Sequence, residues 1–239
     1  MSRSFDRPTS ALGPKSDVVT GARDLLQSKN RRTRNQFLAE GPQGVEAALQ
    51  AELAKSVFVT DWDSDLAALA RSCGVRVNLV TAPAMDALCE TVSPQGVVAV
   101  CDIPDSSLEA VLATKPRSLA VCVGVSDPGN LGTIIRTAAA SGVDAVITTS
   151  GSVDAWSGKV VRATAGTFAV IPVIAGLDDA MLRTTLQNIR LHYLPQRATQ
   201  LLTFMMRALL KFCRLHTPGF WEMKRMACLK HGFPMARFP

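Results

Sequence analysis

The chain has 239 residues, 47% of them hydrophobic, which is ample for a core and allows one large or two small domains. No stretch approaches the roughly 18 uncharged apolar residues of a membrane span, and the polar N-terminus is unlike a signal peptide, so no membrane partner and a cytoplasmic location are expected. The net charge of +6 suggests nucleic acid only until it is divided: residues 190–239 hold nine of the 26 Lys/Arg and one of the 20 acids, leaving 1–189 at −2.

Residues 1–18 are polar, with Pro8 and Pro14, and read as a disordered lead-in. Residues 20–35 carry Arg23, Lys29, Arg31, Arg32 and Arg34, which fit either phosphate binding or a solvated helix end. Periodicity then predicts a helix over 45–54, a strand over 56–60, a helix over 64–73 closed by Gly74, a strand over 76–80, a helix over 83–89 and a strand over 96–101. This alternation makes 19–102 a small α/β domain. Residues 103–117, with Pro104 and Pro116, read as a linker holding one helical turn or more. The six cysteines (73, 89, 101, 122, 213 and 228) have no metal spacing, and most lie in apolar runs, as buried free thiols of a reducing cytosol do.

The chain is organised around 119–175. A Val-rich run over 119–125 reads as a buried strand, stopped by the turn Ser126-Asp127-Pro128-Gly129. Asn130 is the expected helix N-cap, followed at helical spacing by Leu131, Ile134, Ile135 and Ala138, with Gly142 as the stop and a strand over 144–149. Strand, helix and strand form one βαβ unit of a parallel sheet. Small residues, Ser150-Gly151-Ser152, then sit at the strand's C-terminal edge, where a ligand can approach closely. A helix over 157–165 and a strand over 168–174 follow, with Trp156 expected in packing. Asn130 lies at a helix mouth, where free N–H groups attract anions. Arg136 lies mid-helix with no carboxylate three or four residues away, as either a solvated side chain or a phosphate contact. Lys159 and Arg162 share a helix face, again solvated or ligand-binding.

The pattern D-P-x-N-x-G-x-x-x-R-T-A-x-x-x-G, seen as Asp127-Pro128-Gly129-Asn130-Leu131-Gly132, Arg136-Thr137-Ala138 and Gly142, resembles the first motif of the SpoU-type (TrmH-like) RNA ribose methyltransferases. Lys159-Val160-Val161-Arg162-Ala163-Thr164-Ala165-Gly166 matches a later segment of that family, and Phe37-Leu38-Ala39-Glu40-Gly41 and Ser93-Pro94-Gln95-Gly96 match its small substrate-binding domain, which is similar to an RNA-binding ribosomal-protein fold. The resemblance covers about 20–185. It implies an α/β chain in which the RNA-binding domain precedes a parallel-sheet methyltransferase domain, beginning near 118 and of trefoil-knot type in the family. It also implies methyl transfer from S-adenosylmethionine to a ribose 2′-hydroxyl of rRNA or tRNA, without a metal. Arg136 would act at the hydroxyl, clamping the adjacent phosphate and stabilising the developing alkoxide, because guanidinium holds its proton too strongly to be a base. Asn130 would fix the loop and the substrate ribose. Thr149, Ser150 and Gly151 would flank the cofactor, and Arg23, Arg31, Arg32, Arg34, Lys159 and Arg162 would contact RNA. Family members pair as homodimers. The competing readings are a non-catalytic RNA-binding remnant and, less well supported for want of a phosphate-loop fingerprint, an unrelated nucleotide-binding protein.

Past about 188 the pattern breaks. The family's G-N-E-x-x-G and S-L-N segments, which complete its cofactor-binding half, are not in this chain, so it is expected to be inactive as written and incomplete at the knot. Over 199–213 the tail is helical by propensity only, with poor packing expected. The genetic code explains the break. Reading Gly219-Phe220-Trp221-Glu222-Met223-Lys224-Arg225-Met226-Ala227-Cys228 from the third base of each codon gives NTT, YTG, GGA, RAT, GAA, RCG, NAT, GGC, NTG. These encode an aliphatic residue or Phe, Leu, Gly, Asn or Asp, Glu, Ala or Thr, a polar or aromatic residue, Gly, and Leu, Met or Val, which contains G-N-E-x-x-G. Residues 189–239 therefore read as a frameshifted tail, from a sequencing error or a real mutation. Resequencing codons 180–240 should reveal an insertion or deletion near codons 185–192; an uninterrupted frame, with no such difference from close relatives, removes the idea.

Overall fold

The computed structural model describes residues 7–187, all within the unit that spans residues 1–191. The expected tail over 189–239, its 199–213 helix, Cys213 and Cys228 lie outside the described residues. The chain is α/β, with two sheets among the described residues. The first has the order β1-β4-β2-β3, from β1 (Gln36–Glu40), β2 (Ala54–Val59), β3 (Arg76–Leu79) and β4 (Val97–Asp102). β4 runs antiparallel to β1 and β2, while β2 and β3 are parallel. The second is the parallel sheet β5 (Leu119–Cys122), β6 (Ala145–Thr149) and β7 (Val173–Leu177).

The lead-in is more ordered than its composition implies. Leu12 pairs with Val80, its N–H donating to the Leu79 carbonyl and its carbonyl accepting from Thr81 N–H. Ser16 caps α1 (Asp17–Arg23), and Val19, Ala22 and Leu25 then join the core formed by Leu38, Phe58, Met85, Val98 and Val100. Three apolar residues at i, i+3 and i+6 suffice to dock a helix that polar neighbours disguise. After α2 (Ser28–Arg34) comes β1, which the sequence marks only as a motif. Its Phe37, Leu38 and Ala39 are all buried, because helices cover both faces of the sheet. α3 (Pro42–Gln50), α4 (Asp65–Ser72) and α5 (Ala82–Leu88) fall close to their expected positions. Inside the expected linker, α6 (Leu108–Ala113) buries Leu108 and Val111 against Ala145, Ile147 and Ile174, so this segment belongs to the second sheet's core.

α7 (Pro128–Ala140) starts earlier than the Asn130 cap predicts. Asp127 is the N-cap, its Oδ1 accepting from Asn130 N–H at 2.7 Å, and Pro128 takes the first helical position, where no N–H is needed. Asn130 is thus the third helical residue. At the other end Gly142, at φ +67, closes the helix as expected, with Gly142 N–H on the Ala139 carbonyl and Val143 N–H on that of Ala138. α8 (Gly158–Ala163) packs on α7 across Gly132, where a Cβ would stand 2.4 Å from Ala163 Cβ and 2.7 Å from the Val160 carbonyl oxygen. The expected strand over 168–174 is split. Thr167–Ala169 form a 3-10 turn, Phe168 turns into the core, and the strand begins at Val173. A short apolar run cannot distinguish these outcomes. The last described helix is α9 (Asp179–Gln187).

The two sheets are joined by aromatic packing. Phe37 of β1, fully buried, lies 4.9 Å from Trp156 and 5.3 Å from Phe168, edge-on to the latter. Gly166, at φ +88, lets the turn after α8 touch α3; a Cβ there would lie 2.9 Å from Ala47 Cβ. Gly132→Ala should therefore lower unfolding stability by about 1–3 kcal/mol, while Gly151→Ala, with open space around it, leaves the urea midpoint unchanged.

Candidate functional site

The loops leaving β5 and β6 are laced together. Gly124 N–H donates to Thr149 Oγ1 at 3.2 Å, Val125 N–H to Ser152 Oγ at 3.3 Å, and Val153 N–H to the Val125 carbonyl at 2.8 Å. These bonds hold the approach to α7 against the end of β6, as expected where ligands meet an open α/β sheet. On α7, Leu131, Gly132, Ile135 and Ala138 face inward, while Asn130, Thr133, Arg136 and Ala140 are exposed on the opposite side. Thr133 spends its hydroxyl on the Gly129 carbonyl. The side chains of Asn130 and Arg136 have no hydrogen bond or ion pair among the described residues. The helix thus presents an amide and a guanidinium on one face, both free to bind.

The three expected cofactor residues separate. Thr149 is 3% exposed and its hydroxyl serves Gly124, so its role within the described residues is to hold the loop. Ser150 and Gly151 are exposed, and Ser150 borders a cleft of about 550 Å³ between α2 and the C-terminal ends of β6 and β7. Ser152 of the expected small-residue edge also borders it, as does Thr148, which carries no sequence signal beyond the alternation along β6 that puts it on the face opposite Thr149. Neither Asn130 nor Arg136 lines this cleft.

The basic residues divide by partner. Arg31, expected at RNA, is 5% exposed and fully engaged. Its Nη2 and Nε donate to Asp154 Oδ2 at 2.7 and 3.0 Å, and Nη1 donates to the carbonyls of Leu25 and Leu26, both at 2.8 Å. Arg162 is likewise committed, 2.7 Å from Glu40 and 3.5 Å from Glu90. Glu40 also accepts from the Thr91 hydroxyl and Glu90 N–H, so the glutamate of one motif neutralises the arginine of another. Arg34 binds Asp24 and the Gly21 carbonyl at the surface. In these pairs Arg31 donates through Nε and both Nη atoms and Arg162 through Nη1 to protein acceptors, so any RNA contact by either has fewer donors to use. Arg23, Arg32 and Lys159 are exposed with no such partner among the described residues, as is Lys29.

Among the described cysteines, Cys101 and Cys122 are buried and Cys89 is partly so, whereas Cys73 is exposed, against the expectation for an apolar run. Burial pushes the Cys122 thiol up to about 11; burial and then the Glu40 carboxylate push that of Cys89 up to about 12. These thiols are inert at neutral pH. Among the described residues no His, Cys, Asp or Glu cluster could hold a metal, and no helix is long and apolar enough to cross a membrane. Arg31→Ala should cost about 3–5 kcal/mol in urea unfolding, because it strands Asp154, whereas Arg32→Ala should leave the midpoint within about 0.5 kcal/mol.

Comparison with known proteins follows the same division. Residues 38–107 match the model described as RNA 2'-O ribose methyltransferase substrate binding, and residues 118–214 match that of the SpoU rRNA Methylase family. The chain is 37% identical over 164 residues to the 23S rRNA (guanosine(2553)-2'-O)-methyltransferase RlmP of Bacillus subtilis, a match spanning 67% of this chain and 62% of that protein. It is 32% identical over 195 residues to the uncharacterized tRNA/rRNA methyltransferase slr1673 of Synechocystis sp., covering 77% of this chain and 69% of the relative. The AdoMet-bound rRNA methyltransferase from Sinorhizobium meliloti superposes with a TM-score of 0.61 at 28% identity, over 73% of this chain and 68% of that one. Two matched models in the family's order, a relative aligned over most of its length and a shared fold agree with the motifs on α7, β1 and α8: the chain belongs to the SpoU rRNA methylase family.

Proposed function

We propose that the chain is by descent an S-adenosylmethionine-dependent methyltransferase acting on a ribose 2′-hydroxyl of rRNA or tRNA, inactive as written because the family's cofactor-binding motifs are missing from it. The observation that carries this reading is the pair of side chains, Asn130 and Arg136, without partners among the described residues, on the exposed side of a helix that starts at the mouth of a parallel sheet. Among those residues this side has polar donors and no protein acceptor to satisfy them. Arg136 would hold the phosphate next to the target ribose and lower the energy of the oxygen as its proton leaves. Asn130 would orient the sugar from the first turn. Proton loss then goes to water or to a group outside the described residues, since arginine cannot accept it.

S-adenosylmethionine, when bound, supplies the methyl group. Among the described residues, Ser150 and Gly151 are open at the end of β6 and would form one side of its site, while Thr149 holds the loop behind them. The family's remaining cofactor segments are missing from the sequence, so no closed pocket is assigned. Pairing of two chains, as in the family, and a cytoplasmic setting complete the proposal; the unpaired thiols of Cys101 and Cys122 suit a reducing compartment.

The second reading, an RNA-binding remnant, is favoured by the completeness of the first sheet and its core. Calorimetry separates the two: heat with S-adenosylmethionine from the frame-restored protein supports the methyltransferase reading, whereas no heat from that protein while it still binds RNA supports the remnant. In the restored protein Arg136→Ala should reduce methyl transfer about 10²–10³-fold with an unchanged melting curve; full turnover would reject the role given to Arg136.

A further inference from the structure

The cleft between α2 and the sheet edge has a charge pattern that the proposed methyl transfer does not use. One rim carries Arg32, exposed and unpaired among the described residues. Asp105, also exposed and unpaired among them, borders the same cleft from the segment after β4. The walls between are Ile103, Pro104, Val153 and Trp156, with the hydroxyl of Ser150 and the amide of Asn35. The deeper acid, Asp154, is already neutralised by Arg31. A simple anion suits this place poorly, because Asp105 would repel it. A simple cation meets Arg32. A ligand that is anionic at one end, apolar in the middle and amine-bearing at the other satisfies every wall, and about 550 Å³ is room for one such unit.

We propose that this cleft is a nucleotide subsite for single-stranded RNA, in which Arg32 holds a phosphate and Asp105 accepts a hydrogen bond from the exocyclic amino group of a base. It rests on the RNA reading above and adds a base preference to it. Cytosine presents an N4 donor to the carboxylate, whereas uracil presents an oxygen that the carboxylate repels. The apolar walls cover the base faces, and Arg32 contributes the salt-dependent part of the binding. The basic tail adds to affinity for any oligomer equally, so the ratio between two oligomers reports on the cleft.

The test is fluorescence anisotropy of the full chain with labelled octacytidylate and octauridylate. Octacytidylate should bind about tenfold more tightly. Asp105→Ala should bring that ratio to one, and Arg32→Ala should weaken octacytidylate binding and reduce its salt slope by about 0.7. Both residues are exposed, and melting curves verify that the variants fold. Equal affinity for the two oligomers, or a preference that survives Asp105→Ala, overturns the subsite and leaves the RNA reading standing. No binding of either oligomer by the unaltered chain overturns both.

Discussion

The structure depends on the seam between its two sheets. Phe37, on the first strand of the first sheet, is closed over by Trp156 and Phe168 from the segments either side of α8, and the hydrophobic gain of burying three aromatic rings fixes the approach. Around this contact lie two ion pairs between residues far apart in sequence, Arg31 with Asp154 and Arg162 with Glu40. Burying charges is costly, and such pairs persist where further hydrogen bonds support a member of each: Arg31 by two backbone carbonyls, Glu40 by Thr91 and Glu90. Their effect is positional. They set α2 beside the strand ends of the parallel sheet and so create the cleft.

The seam also sorts the charges. A stretch with five Lys/Arg between 23 and 34 looks uniform as a string. In the fold, Arg31 becomes a structural cross-brace, Arg34 a surface pair, and Arg23, Lys29 and Arg32 remain available. On the parallel-sheet side Arg162 is half-buried with Nη1 held by Glu40, while Lys159, three residues earlier, has no partner among the described residues. A guanidinium N–H given to a protein acceptor is not available to a phosphate, so basic residues differ in what they can offer RNA.

Small residues act where helices must approach. Gly132 belongs to the same motif as Asn130 and Arg136, yet its task is packing: it admits Ala163 of α8 to a distance no side chain would allow. The motif therefore combines two kinds of constraint. One face of α7 is shaped to lie on α8 and β6, and the opposite face carries Asn130, Thr133 and Arg136, exposed among the described residues. That division is why the exposed pair can be read as chemistry and the buried glycine as architecture.

Much of this was legible in the residues. Hydrophobic alternation located most of the helices and strands, because burial on one face imposes a period of 2 or 3.6 whatever the neighbours do. Motif spacing identified the family. Three kinds of information needed the fold. The helix start moved from Asn130 to Asp127, since an N-cap is decided by which carboxylate reaches a free N–H. The strand expected over 168–174 gave way to a turn, because Phe168 gains more by facing Phe37 than by extending a sheet edge. And the partners of Arg31 and Arg162 lie more than a hundred residues away. Local sequence fixes periodicity and backbone preference; only tertiary packing decides which charges meet, because Coulomb and hydrogen-bond energies depend on distance in space and carry no trace in spacing along the chain.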